Sequence, residues 1–301
     1  MKILIRSEGG IGNQLFQASF AHFLAESYPK FEVQFCDENG VEDRAFALDD
    51  FFIGCTHVSQ LKSRTLMGKS ELDVIRALDR RLLPIFREGY RNGLVKETNL
   101  LGFQLGKILE EIQENNIFGR CNVVGNFQCS QYSFPISDCF LGCLTRHLDK
   151  NSSQPVSLQI VDVAVHVRRG DYTTNDFYGP LGLRFFEKAI SELNMRNPRI
   201  VLHSDDPSFT LSDATRARLI RDISFSSNPW DLLRDARDSK AFIGSNSSLS
   251  WWAAYLHQIF HPTNAQVTLP DKWNKRDSTN EIFLSLDNWK LLSTIWDSNI
   301  W

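Results

Sequence analysis

No run of about 20 consecutive apolar residues occurs in this chain of 301 residues, so no helix is expected to span a bilayer. The nearest candidate, Ala241 to Phe260, is broken by Ser245-Asn246-Ser247-Ser248. The first residues, Met1-Lys2-Ile3-Leu4-Ile5, run straight toward a glycine turn, without the apolar stretch and small-residue cleavage site of a secretory leader. A cytoplasmic protein, with at most peripheral membrane contact, is the expectation. Neither charge sign dominates: 33 Lys plus Arg stand against 36 Asp plus Glu, a formal net charge of -3. The basic excess of a general nucleic-acid binder is therefore absent, which says nothing against a few arginines gathered in one cleft.

Cysteine is scarce too. Cys36, Cys55, Cys121, Cys129, Cys139 and Cys143 are too scattered for a disulfide-built scaffold, and none forms a CxxC. Cys139 and Cys143, four apart, meet on one helix face, but no second Cys/His pair completes a zinc site. Thiols without disulfides and no bound metal are expected. What the chain does have is 42% hydrophobic residues, enough for a sizeable core, so disorder is excluded. A typical domain of about 150 residues suggests two domains.

The opening reads as a βαβ unit. Lys2–Ile5 is a strand, residues 9–13 a glycine turn, residues 14–28 a helix through Leu15, Phe16, Ala18, Phe20, Phe23 and Leu24, and Phe31–Phe35 a second strand. Such an opening implies a parallel sheet covered by helices. Residues 48–114 read as an irregular helical region, and Val123–Phe127 as a further strand. Asn151-Ser-Ser-Gln-Pro155 has a linker's composition. A second α/β pattern follows, with strands at Val161–Val167, Ile200–His203 and Ala241–Gly244, and helices at 182–194, 231–240 and 249–260. We therefore expect an N-terminal α/β domain over 1–155 and a C-terminal α/β domain over 156–301, whose last helix packs back on the first. There is no internal repeat. A cleft between two such domains is the default ligand site.

Three segments carry candidate chemistry. Gly9-Gly10-Ile11-Gly12-Asn13-Gln14 lies between a strand and a helix, where the glycines admit close backbone approach and the helix start offers N–H groups to an anion. It fits a tight turn, another ligand, or a dinucleotide fingerprint with Asp37 as the ribose acid; Leu15 stands where the fingerprint wants Gly or Ala. His166-Val167-Arg168-Arg169-Gly170-Asp171-Tyr172 leaves the carboxyl end of a buried strand, where open α/β sheets bind ligands. A guanidinium matches phosphate bidentately, each charge-assisted bond contributing roughly 1.5–3 kcal/mol. The plainer alternative is an Arg pair salt-bridged to Asp171 and Asp176. Strand alternation puts His166 on the side of Arg168.

The third segment, Ser245-Asn246-Ser247-Ser248, caps the following helix, with more polar groups than one cap needs. The surplus suits a phosphate or ribose, while Trp251 and Trp252 read as core. Asp205-Asp206 before Pro207 fits either a metal pair or a turn, and Asp231 after Asn228-Pro229 fits a helix cap.

Taken in order, Gly9-Gly-Ile-Gly-Asn-Gln-Leu-Phe-Gln17, Gly125-Asn-Phe-Gln128, His166-Val-Arg-Arg-Gly-Asp-Tyr172, Ser204-Asp-Asp206 and Ser245-Asn-Ser-Ser-Leu-Ser-Trp-Trp-Ala-Ala254 resemble the α-1,2-fucosyltransferase family, bacterial and animal. The resemblance runs from residue 3 to Trp273 and leaves about 40–115 unmatched, so the acceptor is not read. It implies a GT-B-like fold of two Rossmann-type α/β domains facing a central cleft. It implies an inverting transfer of L-fucose from GDP-β-L-fucose to the 2-hydroxyl of a terminal galactose on an oligosaccharide or glycolipid. No cofactor and no metal are implied. By the same resemblance Arg168, helped by Arg169, holds the β-phosphate. His166 and Asp231 lie near the guanosine, Ser247 and Ser248 contact phosphate beside Ser245 and Asn246, and Gly10, Gly12 and Asn13 face the sugar. Asp171 and Glu8 are the candidate bases. The rival readings are another fucosyl linkage or acceptor class, an NAD(P)-linked oxidoreductase, and a non-catalytic sugar-nucleotide-binding protein.

Overall fold

The computed structural model describes residues 2–7, 9–37, 47–55, 57–61, 120–123, 128, 136–153, 161–206, 208–209, 222–275 and 285–297. The chain divides into two compact units, Met1–His147 and Leu148–Trp301. The division falls within helix α2 (Asp138–Asn151), a few residues before the Ser/Asn/Pro stretch at which the sequence reading divides the chain. Among the described residues, no helix is long and apolar enough to cross a membrane.

The first unit contains β1 (Lys2–Ser7), α1 (Ile11–Ser27), β2 (Glu32–Asp37), β3 (Val58–Leu61) and β4 (Arg120–Val123), in a parallel sheet of order β3-β2-β1-β4. Register pairs Ile3 with Val33 and Ile5 with Phe35, all four buried. Helix α1 begins at Ile11 rather than Gln14, because the Gly10 carbonyl already accepts from the N–H groups of Asn13 and Gln14 at 2.9 and 3.0 Å. It is buried almost all round, which carries Gln14, Gln17, Ser19 and His22 inside with the apolar residues. The strand expected at 123–127 is β4 at 120–123; residues 124–127 lie outside the described residues. Strand β3, inside the region read as irregular and helical, was not anticipated.

Cys139 does have a further Cys and a His beside it in the fold. Cys55 Sγ lies 3.7 Å from Cys139 Sγ, and a ring nitrogen of His22 completes a group whose ligand atoms all lie within 4.8 Å of one another. The fold brings together three segments that are remote in sequence.

The second unit contains β5 (Val163–Val167), a 3-10 turn (Gly170–Thr174), α3 (Leu183–Ser191), β6 (Arg199–Ser204), β7 (Asp222–Ser226), α4 (Pro229–Asp238), β8 (Ala241–Ile243), α5 (Ser248–Phe260), β9 (Val267–Pro270) and β10 (Lys290–Leu292). Its six parallel strands run β10-β9-β8-β5-β6-β7. From β5 the chain winds outward to β7, then returns to β8 on the other side and winds out to β10. That is the doubly wound order, with its reversal between β5 and β8. Strand β5, Val-Ala-Val-His-Val, is buried throughout, as a central parallel strand covered on both faces must be. Helix α3 turns Phe185, Phe186, Ala189 and Ile190 onto this core, and Trp251 and Trp252 of α5 are fully buried, as expected of core residues. No helix follows α5 among the described residues; residues 285–297 supply the short strand β10 and a bridge from Trp296 to Leu181. Two Rossmann-type α/β units are the fold class read from the sequence.

Candidate functional site

In a doubly wound sheet the loops after the two strands flanking the reversal splay apart and leave a crevice at their carboxyl ends. Here those loops begin at Arg168, after β5, and at Gly244, after β8. One hydroxyl joins them: Ser245 Oγ accepts from the Arg168 main-chain N–H at 2.9 Å and donates to the His166 carbonyl at 2.8 Å. Ser245 and Asn246 are both fully buried. Asn246 Nδ2 donates to the carbonyls of Trp273 (3.0 Å), Gly179 (3.3 Å) and Tyr178 (3.4 Å), so it closes a loop junction, while its buried Oδ1 has no hydrogen-bond partner. Ser247 is the N-cap of α5, accepting from Leu249 N–H at 3.3 Å. No acidic residue occupies the first turn of α5, and Ser248 is half-buried there. No carboxylate of its own first turn therefore offsets the positive end of the helix, an arrangement that favours an anion.

Both arginines of the β5 loop are held by acids. Arg168 donates to Asp205 Oδ2 at 2.5 Å and, more closely, to Asp171 Oδ1; its guanidinium lies 5.3 Å from the Tyr172 ring centroid. Arg169 is paired with Asp206 at 2.9 Å and Asp297 at 2.8 Å and lies over Phe209. Asp205, rather than Asp176, is the second partner of the pair. Its other oxygen accepts from Arg169 N–H at 2.8 Å, and Asp206 also accepts from Ser208, so the Asp-Asp dipeptide is an arginine clamp. The Ser208 bonds, with Arg169 adding, hold the Asp206 carboxyl below its usual range. Arg168 keeps 22% of its side chain exposed and Arg169 14%. Arg168 is the more accessible; Arg169 is the buttress behind it.

The 3-10 turn brings Tyr172 back over this junction. Its hydroxyl donates to the Asn246 carbonyl at 3.1 Å and its ring stacks on Tyr178 at 4.9 Å. Gly170 at the head of the turn has φ +21, and a β-carbon there would run into the Asp205 carboxylate.

His166 Nδ1 is 2.6 Å from Ser250 Oγ, and the residue is buried. Burial, with Arg168 and His203 adding, holds its imidazole well below the usual range, so it is a neutral hydrogen-bonding group. The helix cap that the sequence offered at Asp231 is supplied by another residue. Asn228 is the cap of α4, accepting from Trp230 N–H at 3.0 Å. The buried Asp231 carboxylate accepts from Ser153 N–H at 2.7 Å, Ser226 Oγ at 3.1 Å and Arg234 at 3.0 Å.

Gly10, Gly12 and Asn13 belong to the first unit, where β1 and β4 flank the corresponding reversal. Gly9 has φ +76, and a β-carbon there would come within 2.9 Å of Asn13 Nδ2. Asn13 Oδ1 accepts from Gln128 Nε2 at 3.0 Å, and Gln14 bonds the Gly9 carbonyl and the Ala47 N–H. Leu15, which stands against a dinucleotide fingerprint, is fully buried core. Glu8 lies outside the described residues, as does the side chain of Asp37. The sequence reading missed the Tyr172–Tyr178 stack and Asp297. Gln128 lay within the Gly-Asn-Phe-Gln segment and so was visible; Asp297, 128 positions from Arg169, carried no local signal.

Comparison with solved structures finds E. coli ADP-heptose lipopolysaccharide heptosyltransferase II at a TM-score of 0.48 and 11% identity, covering 97% of this chain and 90% of that one. Among curated proteins, the chain is 25% identical over 316 residues to the O-antigen biosynthesis glycosyltransferase WbnK of E. coli, covering 93% of this chain and 97% of that protein. It is 24% identical over 305 residues to an E. coli alpha-1,2-colitosyltransferase, covering 95% and 97%. The sequence model described as glycosyl transferase family 11 matches residues 118–291, more than half of the chain, from β4 through the Arg168 loop and α5 to β10. The chain belongs to glycosyltransferase family 11.

Proposed function

We propose that this glycosyltransferase moves L-fucose from GDP-β-L-fucose to the 2-hydroxyl of a terminal galactose, with inversion and without a catalytic metal. The observation that carries the reading is the junction of the Arg168 loop with the Ser245–Ser248 helix start at the sheet's reversal, in a family 11 chain. The acceptor would be an oligosaccharide or glycolipid, given that one relative is named for O-antigen biosynthesis.

In this reading, cleavage of the anomeric C–O bond leaves negative charge on the β-phosphate oxygen of GDP and cationic character on the fucosyl carbon. Arg168 and the start of α5 stabilise the departing diphosphate as that charge develops. Arg169, held by Asp206 and Asp297, positions its neighbour. The acceptor 2-hydroxyl attacks from the opposite face, forming the new C–O bond and losing its proton. Asp171, half-exposed beside Arg168, and Glu8 are the carboxylates proposed to take that proton. Charge neutralisation by arginine and helix N–H groups makes no demand on a divalent ion.

The test is GDP release from GDP-fucose in EDTA, with and without lactose. Lactose-stimulated release supports the proposal; donor binding with no release on any galactoside would make the chain a sugar-nucleotide-binding protein, and no donor binding would refute it. Because one relative is named for colitose, a nucleotide-activated colitose belongs in the same assay. Preference for it would keep the α-1,2 transfer and change the donor sugar.

A further inference from the structure

We propose that the first unit binds one zinc-like ion through His22, Cys55 and Cys139. Three cysteines converge at this one place: Cys55 from the turn before β3, and Cys139 and Cys143 from α2. His22 reaches it from α1. The three ligand atoms lie within 4.8 Å of one another, and the two sulfurs are 3.7 Å apart. A tetrahedral ion with metal–sulfur bonds of about 2.3 Å sets its sulfurs roughly 3.8 Å apart, so the thiols already stand at the required edge length.

A second observation comes from the histidine. His22 is 3% exposed, and its Nε2 has no hydrogen-bond partner. Its Nδ1 is 3.3 Å from Ser137 Oγ and 3.5 Å from the Glu26 carboxylate. A carboxylate or hydroxyl on one ring nitrogen is the usual way a protein orients a metal-binding imidazole and raises the basicity of the other nitrogen. The lone pair left over is the one a metal would use. Burying a polar nitrogen with nothing to bond costs on the order of 1–3 kcal/mol, and an ion removes that cost.

Cys143, one helical turn beyond Cys139, interacts with both other thiols from just outside the group. A mixed S/N set of this kind selects zinc or iron over magnesium or calcium. The ion would be structural: it would tie α1, the Cys55 turn and α2 to one another, and its ligands include none of the donor-loop residues. The inference is therefore independent of the proposed transfer reaction.

The full-length protein, purified under a non-thiol reductant in metal-free buffer, would be titrated with Zn2+ and with Co2+. Support would be about one tightly held Zn2+ per chain and the visible bands of thiolate-bound tetrahedral Co2+. These would be lost in Cys139→Ser and His22→Gln and retained in Cys36→Ser, whose thiol lies elsewhere in β2. Should the two ligand variants fail to fold, wild-type protein still decides: sub-stoichiometric zinc with a featureless cobalt spectrum overturns the proposal. So does a cobalt spectrum that survives both ligand variants. GDP binding measured on the same samples reports separately on the donor site.

Discussion

The main-chain N–H of Arg168 donates to the hydroxyl of Ser245 at 2.9 Å, which ties the loop after β5 to the loop after β8 across the reversal of the sheet. Because the same hydroxyl donates to the His166 carbonyl, Ser245→Ala strands a donor and an acceptor together. We expect a stability loss of about 2 kcal/mol and weaker GDP binding, read by urea denaturation and by nucleotide titration. Unchanged values in both would mean that the loops do not depend on this tie.

The two arginines separate in their effects. Arg168→Ala is expected to lower turnover by about 10²–10³-fold, the usual cost of one preorganised donor, with little change in the urea midpoint. Arg169→Ala strips the partner from Asp206 and Asp297 and is expected to cost about 1–2 kcal/mol of stability, discounted for partial exposure. Identical kinetic and stability losses in the two variants would contradict the division into contact and buttress.

Gly244 occupies the turn from β8 into the donor loop. A β-carbon there would sit 2.6 Å from Leu269 Cδ2 and 2.9 Å from Phe242 Cε1 and Ser250 Cβ. Gly244→Ala should therefore destabilise by about 1–3 kcal/mol through overpacking, seen as a lowered Tm. A neutral outcome would show that Leu269 can swing aside.

His257 sets a pH limit on the second unit. Its Nδ1 pairs with the Ala236 carbonyl at 2.8 Å, and its Nε2 accepts from Gln266 N–H at 3.2 Å, a combination that only the neutral ring satisfies. Burial, with His261 adding against the Ala236 bond, brings its pKa to about 4 from 6.5. The unfolded chain then binds the extra proton first, so stability is full above about pH 6.5 and falls as pH drops toward 4, by up to about 3 kcal/mol. Chemical denaturation at pH 7.5 and 4.5 measures this, and His257→Gln should flatten part of the slope. The neutral, buried His166 contributes in the same direction.

The βαβ opening and the strands β5, β6 and β8 were legible because buried parallel strands are short apolar runs bounded by turn residues. Strand β10 was not: Lys290 and Leu291 are exposed and only Leu292 faces the core, so three residues held by a neighbour leave no pattern. The site divides the same way. The Arg168 and Ser245 loops could be picked out because each follows a readable strand. Their true partners could not, since Asp205 reaches Arg168 across 37 positions and Asp297 reaches Arg169 across 128. Asp231 illustrates the same limit: a polar residue at a helix start reads as a cap, while the fold gives that role to Asn228 and brings Ser153, Ser226 and Arg234 to the carboxylate.

Four carboxylates, Asp171, Asp205, Asp206 and Asp297, surround two guanidiniums. On the proposed reading, a diphosphate arriving at Arg168 would enter a contest with side chains tethered beside it, and would have to displace or share them to gain its contacts. The same rivals would stand ready once the sugar had left. They would reclaim the guanidinium as the nucleotide departed, so the molecule would carry its own eluent: affinity given up at entry, and the spent nucleotide pushed out at the end of each cycle.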